Sequence, residues 1–342
     1  MNSDMKRILV WGAGAIGGTV AAHLSRARKS PTLVDVNAAH LDAINRDGLR
    51  ISSPDGEFTE RLTALAPEQV SGVFDVIFLA VKATHTEIAL ERAREFLTPD
   101  GCVVSLQNGL CEIGIAELVG RERTVGAFIN FGADYVEPGH LLFANRGVVI
   151  IGEIDGLMRP RTQRIVELLR PFEPDAATTD NIWGYLWGKT AYSSLLKAEA
   201  LSDQTMVDFI GDPDLREVHV KLVRELLAVA RAEGVEPLGF NGFDPRAFER
   251  DDEAAYANLA DMAEFYRPSA KTHSSAWRDI AIFGQKTDAP AQLTPVFAIA
   301  EKHGLQVPIS RKLVQLIENL EAGRAKQGSS LVAELAKEAM AS

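Results

Sequence analysis

Two rhythms divide the chain. Up to about residue 180, short runs of β-branched and apolar residues alternate with segments of helical spacing. RILVWG (7–12), PTLVDV (31–36), FDVIFLAVK (74–82), CVVSLQNG (102–109), TVGAFINF (124–131) and GVVIIGE (147–153) read as strands. The third is almost continuously apolar, the pattern of a strand covered on both faces. Between them, AIGGTVAAHLSRA (15–27), HLDAINRDG (40–48) and THTEIALERAREFL (84–97) read as helices, the second stopping at Gly48. Strands alternating with helices predict βαβ units and a mostly parallel, doubly wound sheet.

Beyond that point the strand signal fades and helical periodicity takes over. DPDLREVHVKLVRELLAVARAEGV (212–235) predicts a helix with Asp212 as N-cap and Pro213 in its first turn. LTPVFAIAEKHG (293–304) predicts one that opens at Thr294-Pro295 and closes at Gly304. PISRKLVQLIENLEAG (308–323) is a third, and SSLVAELAKEAMAS (329–342) a terminal helix free to fray. The predicted architecture is α/β: a doubly wound domain over residues 1–180, then an all-helical domain over 181–342 for substrate and dimerisation. Several long helices in the second domain fit self-association as a homodimer.

Composition narrows the classes. At 342 residues the chain exceeds one typical core, and 46% apolar with 24% charged residues is ordinary for a soluble protein. The longest apolar run, VFDVIFLAV (73–81), is too short to span a bilayer. The first residues lack a signal-peptide pattern, so a cytoplasmic protein without a membrane partner is expected. A net charge of −11 argues against nucleic acid as partner, since that affinity rests on Lys and Arg neutralising phosphates. Cys102 and Cys111 lack metal-ligand spacing and read as structural, and the seven histidines form no HxH or HxxxH pair, so no metal site is expected.

WGAGAIGG (11–18) carries the first candidate chemistry. It follows a strand, opens a helix and reads G-x-G-x-x-G at Gly12, Gly14 and Gly17. In a Rossmann-type turn the first glycine permits the tight bend, the second the approach of a pyrophosphate, and the third the packing of helix on strand. The phosphate then rests on helix N-terminal N–H groups, here those around Ala15 and Ile16. Asp35, at the end of the next strand and 23 residues after Gly12, suits the two ribose hydroxyls of NAD and repels a 2′-phosphate. Val36 follows where an NADP enzyme often has Arg, so NAD(H) is expected over NADP(H). Against this stands a plainer reading, in which Asp35 only caps the strand-to-helix turn.

GAGAIGG, AVKAT (80–84), LQNGL (106–110), LWGK (186–189) and SSAWRDI…TD (274–288) occur in the order and spacing of the ketopantoate reductase (2-dehydropantoate 2-reductase) family, which the chain resembles over nearly its whole length. The resemblance implies an NAD(P)H-dependent oxidoreductase that reduces a 2-oxo acid. It implies that Lys189 is the catalytic lysine, bonding the keto oxygen and acting as general acid. It places Asn108 at nicotinamide and substrate, Lys82 near the adenosine ribose and phosphate, Ser275 near the substrate carboxylate, and Asp288 where a glutamate binds a substrate hydroxyl and supports the lysine. The family has asparagines four and eight residues after the lysine; here they are Ser193 and Lys197. Asp288 is one carbon shorter than that glutamate, and Asp35-Val36 departs from the NADP pattern. These departures fall on substrate and cofactor choice and leave fold and reaction class as implied.

The residues themselves support such chemistry. Reducing a 2-oxo acid needs a hydride donor, a proton donor and a group for the carboxylate; a lysine serves as acid when burial and neighbours bring its pKa toward neutrality. Lys189 lies in the aromatic-rich helical stretch NIWGYLWGKTAYSSLLKAEAL, where a cleft between domains is expected. Offsets of four and eight residues rotate by about 40° and 80°, so Lys189, Ser193 and Lys197 share roughly one face. Lys197 is open to two readings: a solvated surface lysine, or a contact to a second anionic or polar group of a substrate other than ketopantoate. Trp183, Trp187 and Trp277 read as packing residues, and His273 as a structural histidine. Two further functions compete: an NAD-dependent catabolic dehydrogenase of another hydroxy acid or alcohol, and a nucleotide sensor without turnover. Lys189 and Asn108 together speak against the sensor.

Overall fold

The computed structural model describes residues 5–269 and 271–341. The chain divides into two compact units, Met1–Ile182 and Trp183–Ser342. Among the described residues no helix is long and apolar enough to cross a membrane.

In chain order the first unit runs β1 (Ile8–Trp11), α1 (Ala15–Arg26), β2 (Thr32–Val34), α2 (Ala38–Asp47), β3 (Leu49–Ser53), β4 (Gly56–Glu60), β5 (Thr63–Leu65), β6 (Phe74–Leu79), α3 (Thr86–Ala93), β7 (Leu97–Ser105), α4 (Glu112–Val119), β8 (Thr124–Glu137), β9 (His140–Glu153), α5 (Pro160–Leu169) and β10 (Ala177–Thr178). They form one sheet in the order β4-β3-β9-β8-β7-β6-β1-β2-β5, with β10 beside β9. β2 and β6 both pair with β1 in parallel, on opposite sides, so the winding of the chain reverses between β1 and β6. Open α/β sheets bind ligands at the carboxyl ends of the strands flanking such a reversal.

The apolar runs are explained by burial on two faces. Ile8, Val10, Val76, Phe78, Cys102 and Val104 enter one core, with Val20 and Leu24 of α1 and Ile165 and Leu169 of α5. Their neighbours Leu9, Trp11, Ile77, Leu79 and Val103 enter the other, with Leu90 of α3 and Ile115 of α4. Successive residues of a strand point to opposite faces, so both must be apolar.

The sheet is more mixed than the periodicity predicts. β8 and β9 form a long antiparallel hairpin, and β3 and β4 a second. The expected strands 124–131 and 147–153 are its inner halves; the outer half of β8 is half-exposed, and that of β9 alternates buried Leu141 and Phe143 with half-buried neighbours. β7 ends at Ser105, short of the predicted residue 109, and β3, β4 and β5 are unheralded by hydrophobicity.

The second unit is α6 (Ile182–Glu199), α7 (Met206–Gly211), α8 (Arg216–Ala232), α9 (Pro245–Arg250), α10 (Asp252–Tyr266), α11 (Ser275–Ala281), α12 (Ala289–Lys302), α13 (Pro308–Glu321) and α14 (Ser329–Ala341). The apolar stripe of α13 (Ile309, Leu313, Leu316, Ile317, Leu320) is buried, and α13 packs against α8, α12 and α14. Glu225 of α8 caps α13 from outside, accepting from Ile309 N at 2.9 Å and Ser310 N at 2.8 Å.

Three helix ends differ from expectation. Asp212 does not open α8: its Oδ1 accepts from Asp214 N (2.9 Å) and its Oδ2 from Gln204 (2.9 Å), which leaves a turn before Arg216. α12 begins at Ala289, where Pro290 suits the first turn, so Pro295 lies inside the helix. Helix α14 is docked through Leu331, Val332, Leu335 and Ala339, and Lys221 donates to the Ala339 carbonyl (2.7 Å).

His219 on α8 is 1% exposed, and neither ring nitrogen has a partner among the described residues. Burial pushes its pKa from 6.5 down to about 4. Between these values the unfolded chain holds a proton that the folded one does not, so its contribution to stability is full above pH 6.5 and lost as pH falls through 4. In urea unfolding, His219→Leu should shrink the stability lost between pH 7 and 4 by up to about 3 kcal/mol. Equal slopes in both proteins would refute this role.

Candidate active site

The glycine turn joins β1 to α1 at the point where the winding reverses. Gly12 has φ +107, and a Cβ there would lie 2.7 Å from the Ala80 carbonyl carbon and 2.9 Å from Val81 N. A Cβ on Gly17 would overlap the Gly12 carbonyl oxygen and sit 2.8 Å from Ala80 Cβ. Gly18 faces Leu141 of β9 in the same way. Gly14 differs from all three: its φ is −64 and a Cβ built on it meets nothing within 4 Å. The fold therefore needs no glycine at position 14, while a ligand lying on the turn does. The N–H groups of Ala15, Ile16 and Gly17 open the first turn of α1, where a helix offers its donors no intrahelical acceptor. This cradle fits a pyrophosphate.

The other predicted residues of this unit follow neighbouring parallel strands. Asp35 follows β2, and its two oxygens accept from Ala13 N (2.7 Å) and Asn37 N (2.9 Å). It ties the glycine turn to Asn37, whose own side chain caps α2 by accepting from His40 N. Each carboxylate oxygen keeps a further lone pair for a ribose hydroxyl. Val36 beside it is 84% exposed. Lys82 follows β6 and is exposed, its carbonyl accepting from His85 N (2.9 Å). Asn108 follows β7 and is also exposed.

Two residues missed by sequence reasoning hold this edge together. Gln107 donates to the Val81 carbonyl (2.9 Å) and Thr86 Oγ1 (2.8 Å), so the loops after β6 and β7 are bound and Asn108 is presented beside them. His40 of α2, 1% exposed, contacts the Ala13 carbonyl through Nε2 (3.0 Å), and its Nδ1 accepts from Gly139 N (2.9 Å). That network assigns the neutral Nε2–H tautomer, and burial lowers the ring's pKa. No periodicity marks either residue.

In the second unit, Lys189, Ser193 and Lys197 lie along α6. A notch precedes Lys189: Leu238 N donates to the Gly184 carbonyl (2.8 Å), and a Cβ on Gly188 would overlap the Leu238 carbonyl oxygen. Lys189 is half-buried. Lys197 is not a surface lysine: it is 5% exposed and its Nζ donates to Ser193 Oγ (2.7 Å). Burial pushes its pKa down to about 7; Asp288 acts to raise it and Lys189 to lower it further. The structure therefore brings Lys189, Ser193, Lys197 and Asp288 together. Asp288 stands at the N-cap of α12 but makes no side-chain capping bond; Thr287 Oγ1 accepts from Ala289 N instead (3.2 Å).

Ser275 opens α11, exposed, with Lys271 Nζ donating to its Oγ at 3.1 Å. Lys271 is a cation that sequence reasoning did not single out. His273 Nδ1 lies 2.9 Å from Oε1 of Glu199, which is fully buried, and its ring stacks on Trp277 at 3.8 Å. Burial raises the Glu199 pKa, against the pull of Ser274 and His273. Trp277 donates to the Ser202 carbonyl (3.0 Å), and Trp187 is 2% exposed, both as packing residues.

Lys197 generates a stability prediction. The unfolded chain keeps the lysine proton up to about pH 10.5, the folded chain only to about 7, so folded stability rises with pH across that window. Lys197→Met should flatten this rise by on the order of 2–4 kcal/mol in denaturant titrations at pH 7 and pH 10. An unchanged slope would show that the ammonium is solvated in the folded state.

Comparison with known proteins places the chain. The family model described as Ketopantoate reductase PanE/ApbA matches residues 8–156, and its C-terminal companion matches 181–321. A 2-dehydropantoate 2-reductase of Pyrococcus horikoshii is 30% identical over 233 residues, 67% of this chain and 75% of that protein. One from Archaeoglobus fulgidus is 24% identical over 322 residues, 93% and 99% of the two chains. Among solved structures, D-mandelate dehydrogenase with NADH and anilino(oxo)acetate superposes with a TM-score of 0.81 at 20% identity, covering 93% of this chain and 99% of that one. A PanE/ApbA family ketopantoate reductase from Ralstonia eutropha gives 0.78 at 23% identity, with the same coverage. With both of its units matched, this chain belongs to the ketopantoate reductase family of oxidoreductases.

Proposed function

We propose that the protein is an NAD(H)-preferring oxidoreductase that reduces a 2-oxo acid of the 2-dehydropantoate type to its 2-hydroxy acid, with Lys189 as general acid. The observation that carries this reading is the lysine-bearing face of α6, set against Asp288, in a chain of this family. The first domain (1–180) holds the nucleotide; the second (181–342) binds the substrate and, through its helices, a second copy of the chain.

When bound, NADH supplies the hydride. Gly12, Gly14 and Gly17 shape the turn, and the N–H groups of Ala15 and Ile16 hold the pyrophosphate. Asp35 accepts the ribose hydroxyls, and the exposed Val36 offers no cation to a 2′-phosphate. Lys82 lies toward the adenosine ribose and phosphate, and Asn108 toward nicotinamide and substrate. Lys189 Nζ donates to the keto oxygen and releases its proton as alkoxide charge develops there. Asp288 balances the ammonium charge of α6 and takes a substrate hydroxyl. Ser193 and Lys197 line the substrate side, and Ser275 with Lys271 receives the 2-carboxylate. The same groups serve the oxidising direction, with Lys189 as base. The likeness to D-mandelate dehydrogenase with NADH favours that second reading, an NAD-dependent dehydrogenase of another hydroxy acid or alcohol.

Two experiments test this. Gly14→Ala should leave the unfolding midpoint nearly unchanged yet weaken NADH binding about tenfold or more, because the methyl group occupies ligand space rather than protein space. Unchanged affinity would remove the pyrophosphate from this turn. NADH oxidation with ketopantoate should fall about a hundredfold in Lys189→Ala, and a lower KM for NADPH than for NADH would refute the cofactor preference.

A further inference from the structure

At the end of α1 away from the glycine turn, the first unit has a cavity of about 520 Å³, within the size range of small-molecule sites. Helix α1 has 12 residues, so about 18 Å of helix separates the two places. The described residues around the cavity include Arg28, Lys29 and Ser30 after α1, Arg164 and Glu167 of α5, and Lys6 before β1. Cations there outnumber the one acid. In a chain of net charge −11, whose arginines elsewhere pair with carboxylates such as Asp75, Glu153 and Glu249, that balance is reversed. The excess stands without Lys6: Arg28, Lys29, Arg164 and Glu167 make no ion pair among the described residues.

These side chains are held there at a cost. Helix α1 ends in a Schellman turn, in which Lys29 N donates to the Leu24 carbonyl (3.0 Å) and Arg28 N to that of Ser25 (2.7 Å). The left-handed position of such a turn is usually glycine; here it is Arg28, at φ 61. Ser30 is left-handed too, at φ 47, although Pro31 after it favours extended backbone. Among the described non-glycine residues only Asn241 shares this conformation, and strain of this kind gathers at ligand clamps. On α5, the Nε of Arg164 is enclosed without an acceptor, which is expensive for a charged donor. The carbonyl end of α1 favours nearby cations. That accounts neither for an arginine in the glycine position nor for Arg164 on another helix.

We propose that this cavity binds a small phosphoryl-bearing molecule, held by the guanidinium groups of Arg28 and Arg164 and the ammonium of Lys29. Planar guanidinium forks match the oxygens of a phosphoryl group, which concentrates on one centre the negative charge that offsets three cations. The site is separate from the glycine turn, so both can be filled at once.

The test is isothermal titration calorimetry on the protein saturated with NADH, which keeps the glycine turn occupied. Inorganic pyrophosphate and fructose 1,6-bisphosphate are the probes, with citrate as a carboxylate control. Wild type should bind a probe one-to-one, and citrate more weakly, since its charge is spread over three carboxylates. Tighter binding of either probe supports the site and tells an organic from an inorganic phosphate. Arg28→Gly and Arg164→Gln should each weaken that binding about tenfold or more, the loss of one charge-assisted contact. Arg28→Gly should meanwhile keep or raise the unfolding midpoint, because glycine suits φ 61, so its lost affinity cannot be lost folding. Affinity unchanged in both variants, citrate bound as tightly as the probes, or binding that appears only without NADH overturns the inference, the last by assigning the anion to the glycine turn.

Discussion

Two main chains touch at Gly12 and Ala80, and the edge of the first unit where its parallel strands end is built around that contact. A Cβ at position 12 would be driven into the Ala80 carbonyl, so turn and strand end stay close only with glycine there. Side chains spread the constraint along the edge. Gln107 fastens the loop after β7 to the one after β6, and Asp35 fastens the glycine turn to the start of α2. The ends of four parallel strands thereby become one continuous platform, held in shape by the protein's own bonds.

The second unit solves a different problem. Most of α6 is apolar; Gly188 lets the backbone at Leu238 cross closely, and the Gly184 carbonyl accepts from Leu238 N. Into this the sequence sets a lysine with almost no access to water. A fold selected for stability alone would place a methionine there. Keeping an ammonium group amid apolar packing is the kind of local sacrifice that accompanies function, as when activity depends on a strained or under-solvated group.

The parts of the fold that were legible are those fixed by local repetition. β1 and β6 show in the sequence because both of their faces are buried, and α13 because one stripe is. The shared face of Lys189, Ser193 and Lys197 follows from helical geometry, and the glycine spacing announces its turn. The misses have local causes too. β3 and β4 carry a turn signal, Ser53-Pro54-Asp55-Gly56, but their strands are half-exposed and lack an apolar run. The Thr294-Pro295 pair reads as a helix start, yet proline is tolerated early in a helix that already began at Ala289. Contacts between distant positions leave no periodic trace. The burial of Lys197 against Asp288, the bond from His273 to Glu199, and the bridge made by His40 each join segments that only the folded chain brings near. Resemblance to a family pointed to Asp288; nothing in the sequence pointed to Glu199 or His40.

That bridge has a consequence for the way the glycine turn is held. His40 joins the Ala13 carbonyl to the Gly139 amide only as a neutral ring, a donor on one side and an acceptor on the other. A second proton turns the acceptor into a donor and sets two N–H groups against each other, so the link to Gly139 must break while the link to Ala13 survives. The polar link between the β8–β9 hairpin and the glycine turn therefore depends on one lone pair, beside the packing of Gly18 on Leu141. Acidification removes this tie without removing a single atom, and the turn keeps its bonds to Asp35 and to the His40 donor while losing its polar link to the hairpin.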